Sequence, residues 1–221
     1  MAAIFQRSLD ATLRTGALGA MLGATVFAGM FYYYAYPDYT RVGYAPEQPI
    51  PFSHQLHVGS LGMDCRYCHT HVEESPHANV PATQTCMNCH NPEKAHIKGN
   101  SPLLAPARES WKSGEAIPWK RIHQVPGYAY FNHSVHVARG VACVSCHGQL
   151  NEMAVVYHAK PLTMGWCLNC HYHPELNVRP KAEVTNMLWK PEGDKTQLQV
   201  GTELKDKLGL NPPNHCGGCH R

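Results

Sequence analysis

Hydrophobic positions are distributed unevenly along this chain. Residues 16–36, GALGAMLGATVFAGMFYYYAY, form one run of 21 residues without a charge. A helix over that run would be about 31 Å long, enough to cross the hydrocarbon core of a bilayer. Arg7 and Arg14 precede the run with only Asp10 opposing them. The positive side stays in the cytoplasm, so the chain after residue 36 is expected to face outward. Phe31, Tyr32, Tyr33, Tyr34, Tyr36 and Tyr39 stand where an interfacial aromatic belt belongs. A cleaved signal peptide is the competing reading. Its apolar stretch would span only about 7–15 residues and end in a small-residue site, for which Val26-Phe27-Ala28 is a poor match. Gly19 and Gly23 form a G-x-x-x-G extended by Gly16, Ala20 and Ala24, a face that lets membrane helices pack closely.

The remaining chain repeats itself. PFSHQLHVGSLGMDCRYCH (51–69) is similar to YFNHSVHVARGVACVSCH (130–147), and both hold F-x-H-x-x-H-V, with Phe52 matching Phe131. A second related segment follows each copy: PATQTCMNCH (81–90) and PLTMGWCLNCH (161–171). The pattern divides the chain into a cytoplasmic N-terminus (1–15), a transmembrane helix (16–36), a first module (37–90), a linker (91–129), a second module (130–171) and a C-terminal segment (172–221). Pro92, Pro102, Pro106, Pro118 and Pro126 make the linker mainly irregular, with room for one short helix around Ala105–Ser113. Another helix is expected over 200–210, stopped by Pro212-Pro213.

Composition narrows the chemistry. Charged residues are 16% of the chain and its pI is near 8.3. These values exclude a coiled coil, a charged disordered tail and a basic nucleic-acid binder. The informative counts are ten Cys and sixteen His. Every cysteine falls in a C-x-x-C pair followed at once by His. The five are Cys65/Cys68/His69, Cys86/Cys89/His90, Cys143/Cys146/His147, Cys167/Cys170/His171 and Cys216/Cys219/His220. This is the attachment signature of c-type haem. The two thiols add to the two vinyl groups of one porphyrin, and the adjacent His reaches the iron. Zinc sites would need two pairs per ion, and five is an odd number; a thioredoxin-like pair needs no following His.

Five haems change the expected fold. The 185 residues after position 36 leave 37 per haem, too few to wrap each porphyrin in its own core. The haems must pack on one another as the hydrophobic core, within a mainly α protein of short helices, extensive loop and very little sheet.

An iron that only transfers electrons needs a second axial ligand. His54/His57 and His133/His136 are the first candidates, since residues at i, i+3 share a helix face. Met153 and His123 are further candidates, a thioether raising the potential relative to a second imidazole. His77 and His158 remain options, followed by His71, His96 and His173. Met164 beside Trp166 reads as packing, and His215 stands too close to its own Cys216 to fold over the far face.

The F-x-H-x-x-H…C-x-x-C-H arrangement resembles the cytochrome c3/c7 superfamily. The longer pattern PFSHQLHV…CRYCH…TCMNCH, WKRIHQVPGYAYFNHSVHV and EMAVV…PLTMGWCLNCH resembles the pentahaem cytochrome c subunits of bacterial Alternative Complex III, over roughly residues 45–220. That resemblance implies an electron-transfer subunit, not itself catalytic, in the cytoplasmic membrane with its haem domain on the periplasmic face. It implies an iron–sulfur partner receiving electrons from menaquinol, integral membrane subunits, a mono-haem cytochrome and a soluble or oxidase acceptor. His54, His57, His123, His133, His136 and Met153 fall on the family-like motifs. A free-standing anchored cytochrome feeding periplasmic reductases shares the anchor and the haem number. A multihaem enzyme would need an iron with an open position, and every motif here ends in His.

Overall fold

The computed structural model describes residues 7–35, 41–95 and 97–220. They divide into two compact units, one ending at Val42 and one beginning at Gly43.

The first unit is one helix, α1 (Arg7–Ala35). It begins earlier than the uncharged run because Asp10 and Arg14 pair at i, i+4, 3.0 Å apart, and continue the helix through its polar start. Ser8–Ala35 is long and apolar enough to cross a membrane. Its apolar side chains point outward all round, Leu13, Leu18, Leu22 and Phe27 among them. A helix of that kind is buried by lipid or by other helices, not by its own chain. Of the aromatic run, Phe31, Tyr32, Tyr33 and Tyr34 close α1, while Tyr36 and Tyr39 lie outside the described residues.

The second unit is a string of short helices joined by loops. A π-helical turn (Gln55–Ser60) is followed by α2 (Cys65–Cys68), α3 (Thr83–His90), α4 (Ala105–Ser113), α5 (His133–Ala138), α6 (Cys143–His147), α7 (Met164–Tyr172), α8 (Gln197–Leu208) and α9 (Cys216–Cys219). Among the described residues sheet is limited to one antiparallel bridge, Val141–Val178.

Local chemistry fixes the ends of these helices. Asp64, Asn132 and Thr163 cap α2, α5 and α7 through their side chains. Pro106 stands in the first turn of α4, and Gly114 ends it in the left-handed conformation (φ 78°). In α8, Thr196 and Gln199 form a reciprocal capping box. Gly201 lets α8 lie directly on the Pro174–Leu176 turn, since a Cβ there would collide with the carbonyl of Glu175.

Side chains alone provide little core. The buried apolar residues form two small clusters: Ile50, Met87 and Ala107, and Val72, Val137 and Val184. A domain relying on side chains would bury one contiguous cluster.

Candidate haem sites

Each C-x-x-C pair sits on a helical turn, so its two thiols project from one face and the following His leaves at the helix end. All ten cysteines are free thiols. Among the described residues no three His, Cys, Asp or Glu side chains converge as a cage for a bare ion.

The histidine rings are held in one tautomer. Nδ1 of His69 is 2.6 Å from the Asn79 carbonyl, that of His90 2.6 Å from Ile97, that of His171 2.6 Å from Pro213 and that of His220 3.0 Å from Tyr128. A ring that donates Nδ1–H to a carbonyl carries its bare lone pair on Nε2, as metal-bound imidazoles do. Asn79 reaches its position with φ 60°, a conformation Asn tolerates.

Three of the four F-x-H-x-x-H histidines are fixed the same way. Nδ1 of His57 faces the Ser53 carbonyl at 2.8 Å, His136 faces Asn132 at 2.7 Å, and His133 faces Pro76 at 2.8 Å. The fourth, His54, keeps a buried Nδ1 without a hydrogen-bond partner. Its pKa is lowered to about 4, by burial first and then by His69 and His57.

The rings are also correctly spaced. Metal–imidazole bonds of about 2.0 Å put two rings on opposite sides of one ion roughly 6 Å apart, centre to centre. The structure contains three such pairs: His57–His90 at 6.2 Å, His136–His171 at 6.2 Å and His133–His147 at 6.4 Å. In each, one member follows a C-x-x-C pair and the other comes from F-x-H-x-x-H. Phe52 and Phe131 hold the non-proximal rings. Phe52 stacks on His57 (4.3 Å) and meets His54 edge-on (4.9 Å); Phe131 stacks on His136 (4.5 Å) and meets His133 edge-on (4.7 Å).

His123, His147 and His158 form a buried group. His123 contacts His147 edge-on at 4.4 Å, too close for the two rings to face one ion from opposite sides, and stacks on His158 at 5.3 Å. His123 Nε2 is buried without a hydrogen-bond partner. Burial lowers the pKa of His123 to about 4 and that of His147 to about 3, with neighbouring histidines adding to both shifts. All three therefore stand neutral at pH 7. Met153 is 5% exposed and its carbonyl accepts Gln55 N–H at 3.0 Å, joining the two repeats.

His158 is where sequence reasoning saw least. It belongs to no motif, yet it is fully buried, its backbone paired with Gly43 and Tyr44. That long-range pairing leaves no local signal. His71, His77, His173 and His215 are exposed, and His96 lies outside the described residues.

Comparison with known proteins agrees with this geometry. Residues 50–109 match the family described as cytochrome c7 and related cytochrome c. The chain is 29% identical over 210 residues to the menaquinone reductase, multihaem cytochrome c subunit, of Nitratidesulfovibrio vulgaris, covering 89% of this chain and 86% of that one. The fold class is that of a c7-like multihaem cytochrome c: mainly helical, with covalently attached haem and one apolar N-terminal helix.

Proposed function

We propose that this chain is a membrane-anchored pentahaem cytochrome c, the electron-transfer subunit of a quinol-oxidising complex of the Alternative Complex III type. The observation that carries the reading is the threefold recurrence of paired imidazoles spaced for one shared ion, with their outer nitrogens tied to carbonyls in five of the six rings. The five Cys pairs hold five haems, and His69, His90, His147, His171 and His220 are the proximal ligands. His57 faces His90, His133 faces His147, and His136 faces His171. His54, which feels His69 as its nearest charge partner, serves that site. His123, with its unpartnered Nε2, and Met153 complete the distal set.

Haem c supplies a one-electron Fe(III)/Fe(II) couple when bound. The chain's own residues decide how that couple behaves. Imidazole on both sides sets a lower potential than imidazole with thioether. The carbonyls behind Nδ1 fix each ring and strengthen it as a donor. Phe52 and Phe131 prevent the distal rings from turning away. α1 anchors the chain with its haem-bearing unit on the periplasmic side, by the charge asymmetry around its start.

The similarity to a menaquinone reductase subunit favours membership of a quinone-reactive complex over a free-standing cytochrome. It also supports a second reading, in which electrons run from periplasmic donors towards menaquinone. The two separate experimentally. Intact-mass measurement of the haem-loaded chain is expected to give five haems, and mild detergent extraction to retain an iron–sulfur partner. Menaquinol added to that complex is then expected to reduce the haem bands. Rapid quinone reduction by the pre-reduced complex, with no haem reduction by menaquinol, selects the second direction. Extraction of the cytochrome alone overturns both.

A further inference from the structure

The hydrogen bonds between attachment motifs form a sequence. The second and first motifs meet where Asn88 Nδ2 donates to the Tyr67 hydroxyl at 3.2 Å, each residue lying inside its own C-x-x-C. The first and third meet through one stretch of chain. Thr185 Oγ1 donates to Asp64 at 2.9 Å, and Cys143 N–H donates to the Val184 carbonyl at 3.0 Å. The Cys65 and Cys143 thiols themselves are hydrogen-bonded. The third and fourth meet at Asn177: its carbonyl accepts Ala142 N–H at 3.5 Å, and its side chain hydrogen-bonds Cys170. The fourth and fifth meet where His171 Nδ1 faces the Pro213 carbonyl at 2.6 Å, three residues before Cys216. The electrostatic neighbours of the thiols agree. Cys68 feels Cys86 and Cys89, Cys146 feels Cys170 and Cys167, and Cys167 feels Cys219.

We infer that the five attachment sites lie in one unbranched row, second–first–third–fourth–fifth, and that electrons enter and leave at its two ends, beside Ile97 and Tyr128. The order is not that of the sequence. The two modules meet through their first sites and carry their second sites outward, and the unpaired fifth site extends one end. Ile97 and Tyr128 mark those ends because each supplies the carbonyl behind the terminal proximal ring, His90 and His220, and each is itself an exposed apolar residue (56% and 67%). One electron accepted at one end is balanced by one released at the other, and no proton or bond changes hands. An apolar contact at each end is the surface a partner cytochrome or iron–sulfur protein needs for close, short-lived docking.

This inference rests on the five-haem reading, and the test keeps the two apart. Ile97→Cys and Tyr128→Cys each add one free thiol to the full, haem-loaded chain in detergent, for coupling to a photoreducing ruthenium label. A second substitution marks the arrival site. His57→Met gives the second site a thioether, a raised potential and a distinct near-infrared band; His136→Met does the same for the fourth. With the second site marked, arrival from position 97 is expected at least tenfold faster than from position 128. With the fourth site marked, the order reverses. Equal arrival times, or the same order in both variants, overturn the row. An intact mass showing fewer than five haems overturns the reading beneath it.

Discussion

The two repeats build the same ring constellation on different supports. Phe52 and Phe131 each stack on the second histidine and meet the first edge-on, and the second histidines, His57 and His136, both face a carbonyl four residues back. The first histidines differ. His133 faces the carbonyl of Pro76, a residue of the other module, whereas His54 Nδ1 has no partner. The helices differ too, a π-helical turn in the first copy and an Asn-capped α-helix in the second. The four side chains Phe, His, His and proximal His thus determine the site, and the backbone beneath them is free to vary.

The largest effect that tests this equivalence is loss of a distal ring. His57→Ala and His136→Ala are each expected to open one coordination position, converting one low-spin site to high-spin and binding one equivalent of carbon monoxide per reduced chain. If only one of the pair binds carbon monoxide, the modules are not equivalent. Removing the stacking ring should come next. Phe52→Ala and Phe131→Ala are each expected to cost about 3 kcal/mol, the low end for Phe→Ala because both rings are half-buried. Thermal unfolding followed by Soret circular dichroism measures both, and unequal losses would locate the module that depends more on its neighbours.

How much was legible in advance follows from where the information lies. The attachment residues and the repeat are local patterns, readable from spacing alone. The helix Ala105–Ser113 was legible because Pro106 and Gly114 bracket it. Which ring faces which was not legible, because His57 and His90 lie 33 positions apart and meet only through the ion they would share. His158 was invisible for a related reason: its burial comes from pairing with Gly43 and Tyr44 across more than a hundred residues. The order of the sites was equally hidden. It depends on Thr185 and Asn177, which belong to a stretch between motifs that carries no signature.

A smaller effect separates the backbones. Gly59 matches Ala138 in the repeat, yet a Cβ at Gly59 would run into the carbonyl of Asn151. Gly59→Ala is therefore expected to destabilise by about 1–3 kcal/mol, as overpacking does. The reverse change, Ala138→Gly, should cost about 1 kcal/mol through helix propensity alone. Denaturant midpoints of the two variants give the comparison directly. Equal losses would mean that the Gly59–Asn151 approach relaxes at no cost.

The smallest expected effect concerns how the first helix of each attachment pair starts. Asp64 caps α2 through Arg66 N–H at 2.8 Å and also binds the Arg66 guanidinium and Thr185. Its counterpart Ala142 is 1% exposed, where no carboxylate could stand, and α6 is held instead by Cys143 N–H on the Val184 carbonyl. Asp64→Ala makes the first module resemble the second and should cost about 1 kcal/mol at neutral pH, the usual value of a lost cap. The hydrogen bond from Arg66, opposed by partial burial and helped by Thr185, lowers the Asp64 pKa from 3.8 to about 2. A carboxyl with a depressed folded-state pKa stabilises the fold above its unfolded value and loses that contribution as pH falls through the folded one. The gap between native and Asp64→Ala proteins is therefore expected to be full above about pH 4 and to close towards pH 2. A gap that stays open at pH 2 would show that Asp64 holds the first and third sites together as a neutral hydrogen-bonding group, through Thr185, rather than as a charge.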